Sequence, residues 1–156
     1  MDSVYLETTI IGYLTSRPSR DLIVAAHQQL TRDWWDLHRT SYDLFVSEAV
    51  VAECGAGDPQ AAQERLGCLS DLPVLDVTGE AELLAESLIR GVPLPDKANI
   101  DALHVALATV NGIDYVLTWN CTHIANAVLQ HRIEAICRAA GYNPPIICTP
   151  QQLMEG

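Results

Sequence analysis

The run "IDALHVALATVNGIDYVLTWN", residues 100–120, decides the fold. From Lys97 to Asn111 the chain reads as a buried helix, opened by Pro95 and Asp96 and closed by Gly112. It delivers the chain directly into the β-prone segment "DYVLT", residues 114–118. A helix feeding a short apolar strand is one unit of an alternating α/β chain, whose strands run parallel beneath their covering helices.

The same alternation extends in both directions. Upstream, the strand "SVYLE" (3–7) gives way to the helical run "TTIIGYL" (8–14), and "RPSR" (17–20) breaks the pattern. In "DLIVAAHQQLTRDWWDLHR" (21–39), Asp21 is placed to cap a helix. Its residues Ile23, Ala26, Leu30, Trp34 and Leu37 recur at spacings of three and four, which predicts that they form the buried face. Trp34 and Trp35 cannot both point inward on one helix, so one of them is expected to be partly exposed.

"DLFVS" (43–47) is the second strand, followed by helical "EAVVAEC" (48–54), a stop at "GAGDP", and a further helix in "QAAQERLGCLS". The third strand is "PVLDV" (73–77), and the helix "EAELLAESLIRG" (80–91) after it has Gly91 as its C-terminal stop. Downstream of the opening stretch come the helix "THIANAVLQHRIEAICRAAG" (122–141) and the strand "PIICT" (145–149). Five strands separated by helices predict an α/β fold: a three-layer α/β/α sandwich around a mainly parallel sheet. The sequence shows no repeat, linker or internal boundary, so residues 1–156 are expected to form one domain.

With 49% hydrophobic and 19% charged residues, the composition is that of a folded chain. No apolar run approaches the roughly 20 residues that span a bilayer, and no export signal is read at the start, so a cytoplasmic home without membrane attachment is expected. Cys54, Cys68, Cys121, Cys137 and Cys148 are odd in number and form no C-x-x-C pair; they read as small buried hydrophobes. A formal charge of −11 opposes nonspecific nucleic-acid binding, which depends on Lys and Arg neutralising phosphate. The one locally basic stretch runs from Thr8 to Arg32, where Arg17, Arg20 and Arg32 stand against Asp21, and its default reading is a scattered solvated face.

In an open parallel sheet the ligand site lies beyond the carboxyl ends of the strands, where strand order reverses. Four regions of polar residues fall there. Glu7 ends the first strand; Glu48 and Glu53 lie in the helix after the second; Asp101 lies in the first turns of the helix before the fourth; Asn120 follows that strand's end. Asp96 fills the capping role of its helix better than Asp101, which leaves Asp101 available. Glu48 and Glu53 are separated by about 500° of helical rotation, so they diverge by ~140° and cannot both face one site. Sequence alone leaves open which of them faces in.

The order of Glu7 at the strand end, "VSEAVVAEC", "IDALHVALA" and "VLTWN" resembles a PIN domain, and most closely the VapC-type ribonuclease toxins of prokaryotic toxin–antitoxin pairs. The similarity covers nearly the whole chain, and "DALHVALA" followed by "LTWN" carries most of it. It is this resemblance that selects Glu53 over Glu48. It implies Mg²⁺- or Mn²⁺-dependent RNA cleavage by Glu7, Glu53, Asp101 and Asn120, with the three acids as metal ligands. It also implies a cognate antitoxin and a homodimer. Thr8, Thr118, Arg17 and Arg20 are the candidates for holding substrate.

Two departures stand out: Glu7 occupies a place where the family usually has Asp, and Asn120 one where it usually has an acid. The residue types suit hard divalent cations, which prefer carboxylate and water oxygens. Without a cation, clustered carboxylates repel and raise at least one pKa. A PIN-like module that binds a protein or RNA without cutting is the competing reading, with Glu7 and Asn120 as signs of lost catalysis. Aspartyl-phosphate chemistry fits poorly, since "LETTI" offers Glu7 and then Thr9, and no glycine-rich phosphate loop follows any strand. His104 reads as a packed core histidine, and His123 and Asn126 as local capping and packing groups.

Overall fold

A computed structural model describes residues 1–92, 99–120 and 127–155 of the chain. The elements run β1 (Ser3–Leu6), α1 (Thr8–Thr15), α2 (Leu22–Leu37), β2 (Asp43–Ser47), α3 (Glu48–Cys54), α4 (Pro59–Leu69), β3 (Val74–Leu75), α5 (Gly79–Gly91), α6 (Asn99–Val110), β4 (Tyr115–Leu117), α7 (Ala127–Ala139), β5 (Ile146–Cys148) and α8 (Pro150–Glu155). The five strands form a parallel sheet in the order β3-β2-β1-β4-β5. Tyr5 pairs with Phe45 on one side and with Val116 on the other.

Val4, Tyr5 and Leu6 are all fully buried, although successive strand residues point to opposite faces. Both faces of the sheet are therefore covered at β1, which is why its sequence is a continuous apolar run with no alternation. On the helical side, α1 packs against α2, α3 and α4, while α5 packs against α6 and α7. The α/β class and the parallel five-stranded sheet agree with the sequence expectation. β1 and β2 move toward β3 while the later strands β4 and β5 lie on the opposite side of β1, so strand order reverses between β1 and β4.

Local details depart from expectation for identifiable reasons. β3 is two residues long because the Val77 N–H turns away from β2 and donates to Glu48 Oε1 at 3.0 Å. Gly91 is the last residue of α5 and its φ is not positive, so it is no left-handed cap; a Cβ there would lie 2.6 Å from Ile136 Cδ1, so a larger residue would have to displace the tip of that side chain on α7. Gly112 does adopt the left-handed conformation that closes α6, at φ 67°. The proposed caps Pro95 and Asp96, together with Lys97, Cys121, His123 and Asn126, lie outside the described residues. Cys54, Cys137 and Cys148 are buried free thiols and Cys68 is half-buried.

The largest correction concerns α2. Asp21 caps it as expected, accepting from the N–H groups of Ile23 and Val24, but the buried face is Gln28, Thr31 and Trp34; of the predicted apolar stripe only Trp34 is buried and Leu30 half-buried. Ile23 is 69% and Leu37 72% exposed, and Ala26 is exposed as well. Gln28 and Thr31 can be buried there because their polar groups are engaged, whereas the buried Trp34 indole N–H has no hydrogen-bond partner among the described residues. Gln28 Oε1 accepts from Ser19 N, and its Nε2 donates to Ser16 Oγ and to the Arg17 carbonyl. Trp34 is buried and Trp35 partly so, with the Arg39 guanidinium 4.7 Å from the Trp35 ring centroid.

Candidate active site

The reversal between β1 and β4 places two chain ends side by side: Glu7 at the exit of β1, and Thr118, Trp119 and Asn120 at the exit of β4. Glu7 is the N-cap of α1, and its Oε1 accepts from Thr9 N at 3.1 Å and from Thr9 Oγ1. That explains the acid after an apolar strand: the start of α1 has orphan N–H groups that a carboxylate satisfies. A third donor to the same oxygen, Thr118 Oγ1 at 2.7 Å, comes from the neighbouring strand. Glu7 is only 3% exposed, and its Oε2 accepts no hydrogen bond from a described residue.

The β4 exit ties the next acid to this one. Thr118 Oγ1 also accepts the Asn120 N–H at 2.9 Å, and Asn120 Nδ2 donates to Asp101 Oδ2 at 2.8 Å. Asp101 lies in the first turn of α6 and is buried. An amide at residue 120 can donate to Asp101 where a carboxylate could only repel it, so Asn120 holds Asp101. Trp119 is fixed between the same elements, its backbone N–H donating to Thr9 Oγ1 and its indole N–H to Thr31 Oγ1.

Of the two acids on α3, Glu48 is exposed and engaged by Val77, whereas Glu53 faces α1 and α6. Thr8 Oγ1 donates to Glu53 Oε1 at 2.9 Å, and His104 Nε2 lies 2.6 Å from the same oxygen. Behind His104, its Nδ1 is 2.6 Å from the Tyr5 hydroxyl, which is 2.7 Å from Ser47 Oγ. His104 and Tyr5 are fully buried, in keeping with a packed core histidine. Burial pushes the Tyr5 phenol far above the usual tyrosine range, so it remains an O–H.

The expected upward push on the acids is reversed at Glu53. Burial raises its carboxyl, but the hydrogen bond from His104, the charge His104 carries when protonated, and the Thr8 hydrogen bond together hold it below the usual glutamate range. Arg17 and Arg20 are exposed on the segment between α1 and α2 that Gln28 clasps. Sequence reasoning missed Tyr5, Ser47 and Thr9 as parts of this site. Thr9 was signalled by the hydroxyl pair following Glu7, since hydroxyls gather at helix starts; Tyr5 and Ser47 carried no signal short of the strand register.

Among the described residues, no group of three or more His, Cys, Asp and Glu side chains stands ready to hold a metal ion. Each acid is instead held by its own donors. The oxygens at the site nevertheless suit a hard, hydrated cation: Mg²⁺ needs only one or two carboxylates and keeps several waters, and Oε2 of both Glu7 and Glu53 lies outside the described hydrogen bonds. The residues fit such an ion and do not form a closed cage.

No family model matches the chain, and no curated protein does. Solved structures do. The structure of VapBC2 from Rickettsia felis bound to a DNA fragment from their promoter is 16% identical, with a TM-score of 0.59 over 94% of this chain and 98% of the other. VapC20 of Mycobacterium tuberculosis, a sarcin–ricin-loop cleaving toxin, is 17% identical, with a TM-score of 0.60 over 89% and 95%. The chain has the PIN-like fold of these VapC structures over nearly its whole length.

Proposed function

We propose that the chain is a metal-dependent endoribonuclease of the VapC toxin kind. The observation that carries this reading is the meeting of Glu7, Asp101 and the Thr118–Asn120 turn where strand order reverses, in a fold shared with an RNA-cleaving toxin. Fold likeness alone would not choose a chemistry, so the weight rests on those side chains.

Glu7 and Asp101 would hold Mg²⁺ or Mn²⁺, with Glu53 binding it or its waters. Bound there, such an ion would supply Lewis-acid chemistry, favouring ionisation of a water and offsetting charge on phosphoryl oxygens. The chain's own residues supply order. Thr9 and Thr118 fix Glu7, Asn120 fixes Asp101, and Thr8 and His104 fix Glu53. Arg17 and Arg20 would meet RNA phosphates, giving a chain of net charge −11 a local point of attraction. As a cytoplasmic toxin it would be paired with an antitoxin protein and form a homodimer; among the described residues no helix is long and apolar enough to cross a membrane.

The test is cleavage of a mixed RNA pool with Mg²⁺ or Mn²⁺, with and without EDTA, by the parent and by Asp101→Asn. Metal-dependent cutting by the parent and none by the folded variant is the expected result; equal cutting by both overturns the reading. One observation favours the binding module instead, namely that one oxygen of each acid is already held by protein donors and the described residues form no three-acid cluster. That alternative predicts no thermal shift with millimolar Mg²⁺ or Mn²⁺, whereas a ligand of the native state raises Tm.

A further inference from the structure

We propose that Ser47, Tyr5 and His104 form a buried positioning series whose role is to hold Glu53 Oε1 and turn its second oxygen toward the site. The inference rests on the nuclease reading above for what Glu53 does, and on geometry alone for how it is held. The series crosses three parts of the fold: Ser47 ends β2, Tyr5 lies in β1, and His104 lies on α6. Its contacts of 2.7, 2.6 and 2.6 Å end on Glu53 of α3, the helix whose N-terminus Ser47 itself caps.

The direction of the bonds follows from donor and acceptor inventory. An ionised carboxylate only accepts, so His104 Nε2–H donates to Glu53 whichever charge state the ring has. In the neutral ring Nδ1 is then the acceptor, and the Tyr5 hydroxyl donates to it. Tyr5 oxygen accepts from Ser47, whose own oxygen accepts the Val50 N–H at 3.3 Å. Every hydroxyl proton is used. A doubly protonated ring would reverse the two inner bonds and leave the Ser47 proton without an acceptor among the described residues.

A buried apolar packing role would be met by a leucine at residue 104. A ring pinned at both nitrogens is over-determined for packing, and it fixes the orientation of one carboxylate oxygen while the other stays clear of described donors. Outer partners of this kind orient metal-site ligands.

Four variants and one spectroscopic measurement decide it. In the metal-free parent, ring-nitrogen NMR should show a slowly exchanging His104 Nε2–H that shifts in Glu53→Gln and broadens in Tyr5→Phe. A ring lacking a proton at Nε2 overturns the proposal. In Mn²⁺-supported cleavage of a short fluorophore-labelled RNA, His104→Leu should lower kcat by about 10- to 100-fold with little change in KM. His104→Gln, whose amide N–H₂ reaches the place of Nε2, should recover most of it. Equal losses in both variants, or none in a folded His104→Leu, overturn the positioning role. A parent that cuts no RNA sinks the nuclease reading instead, and the ring-nitrogen measurement then decides the positioning series by itself.

Discussion

Glu7 and Glu53 are both carboxylates at the same edge of the sheet, yet the protein holds them by different means. Glu7 is nearly inaccessible and is held by neutral donors of short reach: the start of its own helix and a threonine one strand away. The Glu53 side chain is 29% exposed and is held by an imidazole from a distant helix, itself anchored through two hydroxyls. An acid fixed by backbone and threonine keeps its place as long as the strands pair. One fixed by a histidine depends on tertiary packing and on the charge balance around it.

The Glu7 side should show the largest stability effect. Thr118→Val removes the hydroxyl that serves Glu7 and Asn120 together, leaving the Asn120 N–H unpaired. A loss of about 1–3 kcal/mol in urea unfolding is expected; no loss would mean that Glu7 is held by Thr9 alone.

The Glu53 side should show itself through pH. Its carboxyl sits below the ordinary glutamate range in the folded state, so the folded protein binds fewer protons than the unfolded chain across the interval between the two values. This contribution is complete above the ordinary glutamate range and is lost as pH falls through the lowered value. Glu53→Gln removes it, so the difference in unfolding free energy between parent and variant should shrink steadily on acidification. A difference independent of pH would contradict the account of Glu53 and leave that of Glu7 intact.

The smallest effect is expected on the exposed face of α2. Ile23→Ser and Leu37→Ser change side chains that are mostly exposed on α2 and should alter stability by no more than about 0.5 kcal/mol. Gln28→Leu on the opposite face should cost about 2 kcal/mol, because the Ser19 N–H and the Arg17 carbonyl lose their partner. If the ranking of these substitutions were inverted, the buried face of α2 would be the apolar one after all.

That face marks where sequence legibility ends. The strand and helix order was legible because each strand is a short apolar run bounded by turn residues, and a parallel sheet buries such runs on both sides. The site's edge followed from the same topology, and Glu7, Asp101 and Asn120 could be placed there from their positions in it. The α2 face was not legible, because Gln28 and Thr31 are buried by bonds to a loop and to Trp119, and periodicity counts only apolar residues. Glu53 could not be separated from Glu48 by helical geometry, since what distinguishes them is His104 on one side and Val77 on the other, both brought near by the fold. Tyr5 looked like an ordinary strand residue for the same reason.

The central claim is that the carboxylates gathered where strand order reverses hold a divalent ion. A crystal of the full chain soaked in Mn²⁺ tests it directly through anomalous scattering. The account predicts a peak in contact with a carboxylate oxygen of Glu7 or Asp101, with Glu53 bonded to it or to its waters. No peak at this edge of the sheet, in a crystal that takes up Mn²⁺ elsewhere, would contradict it.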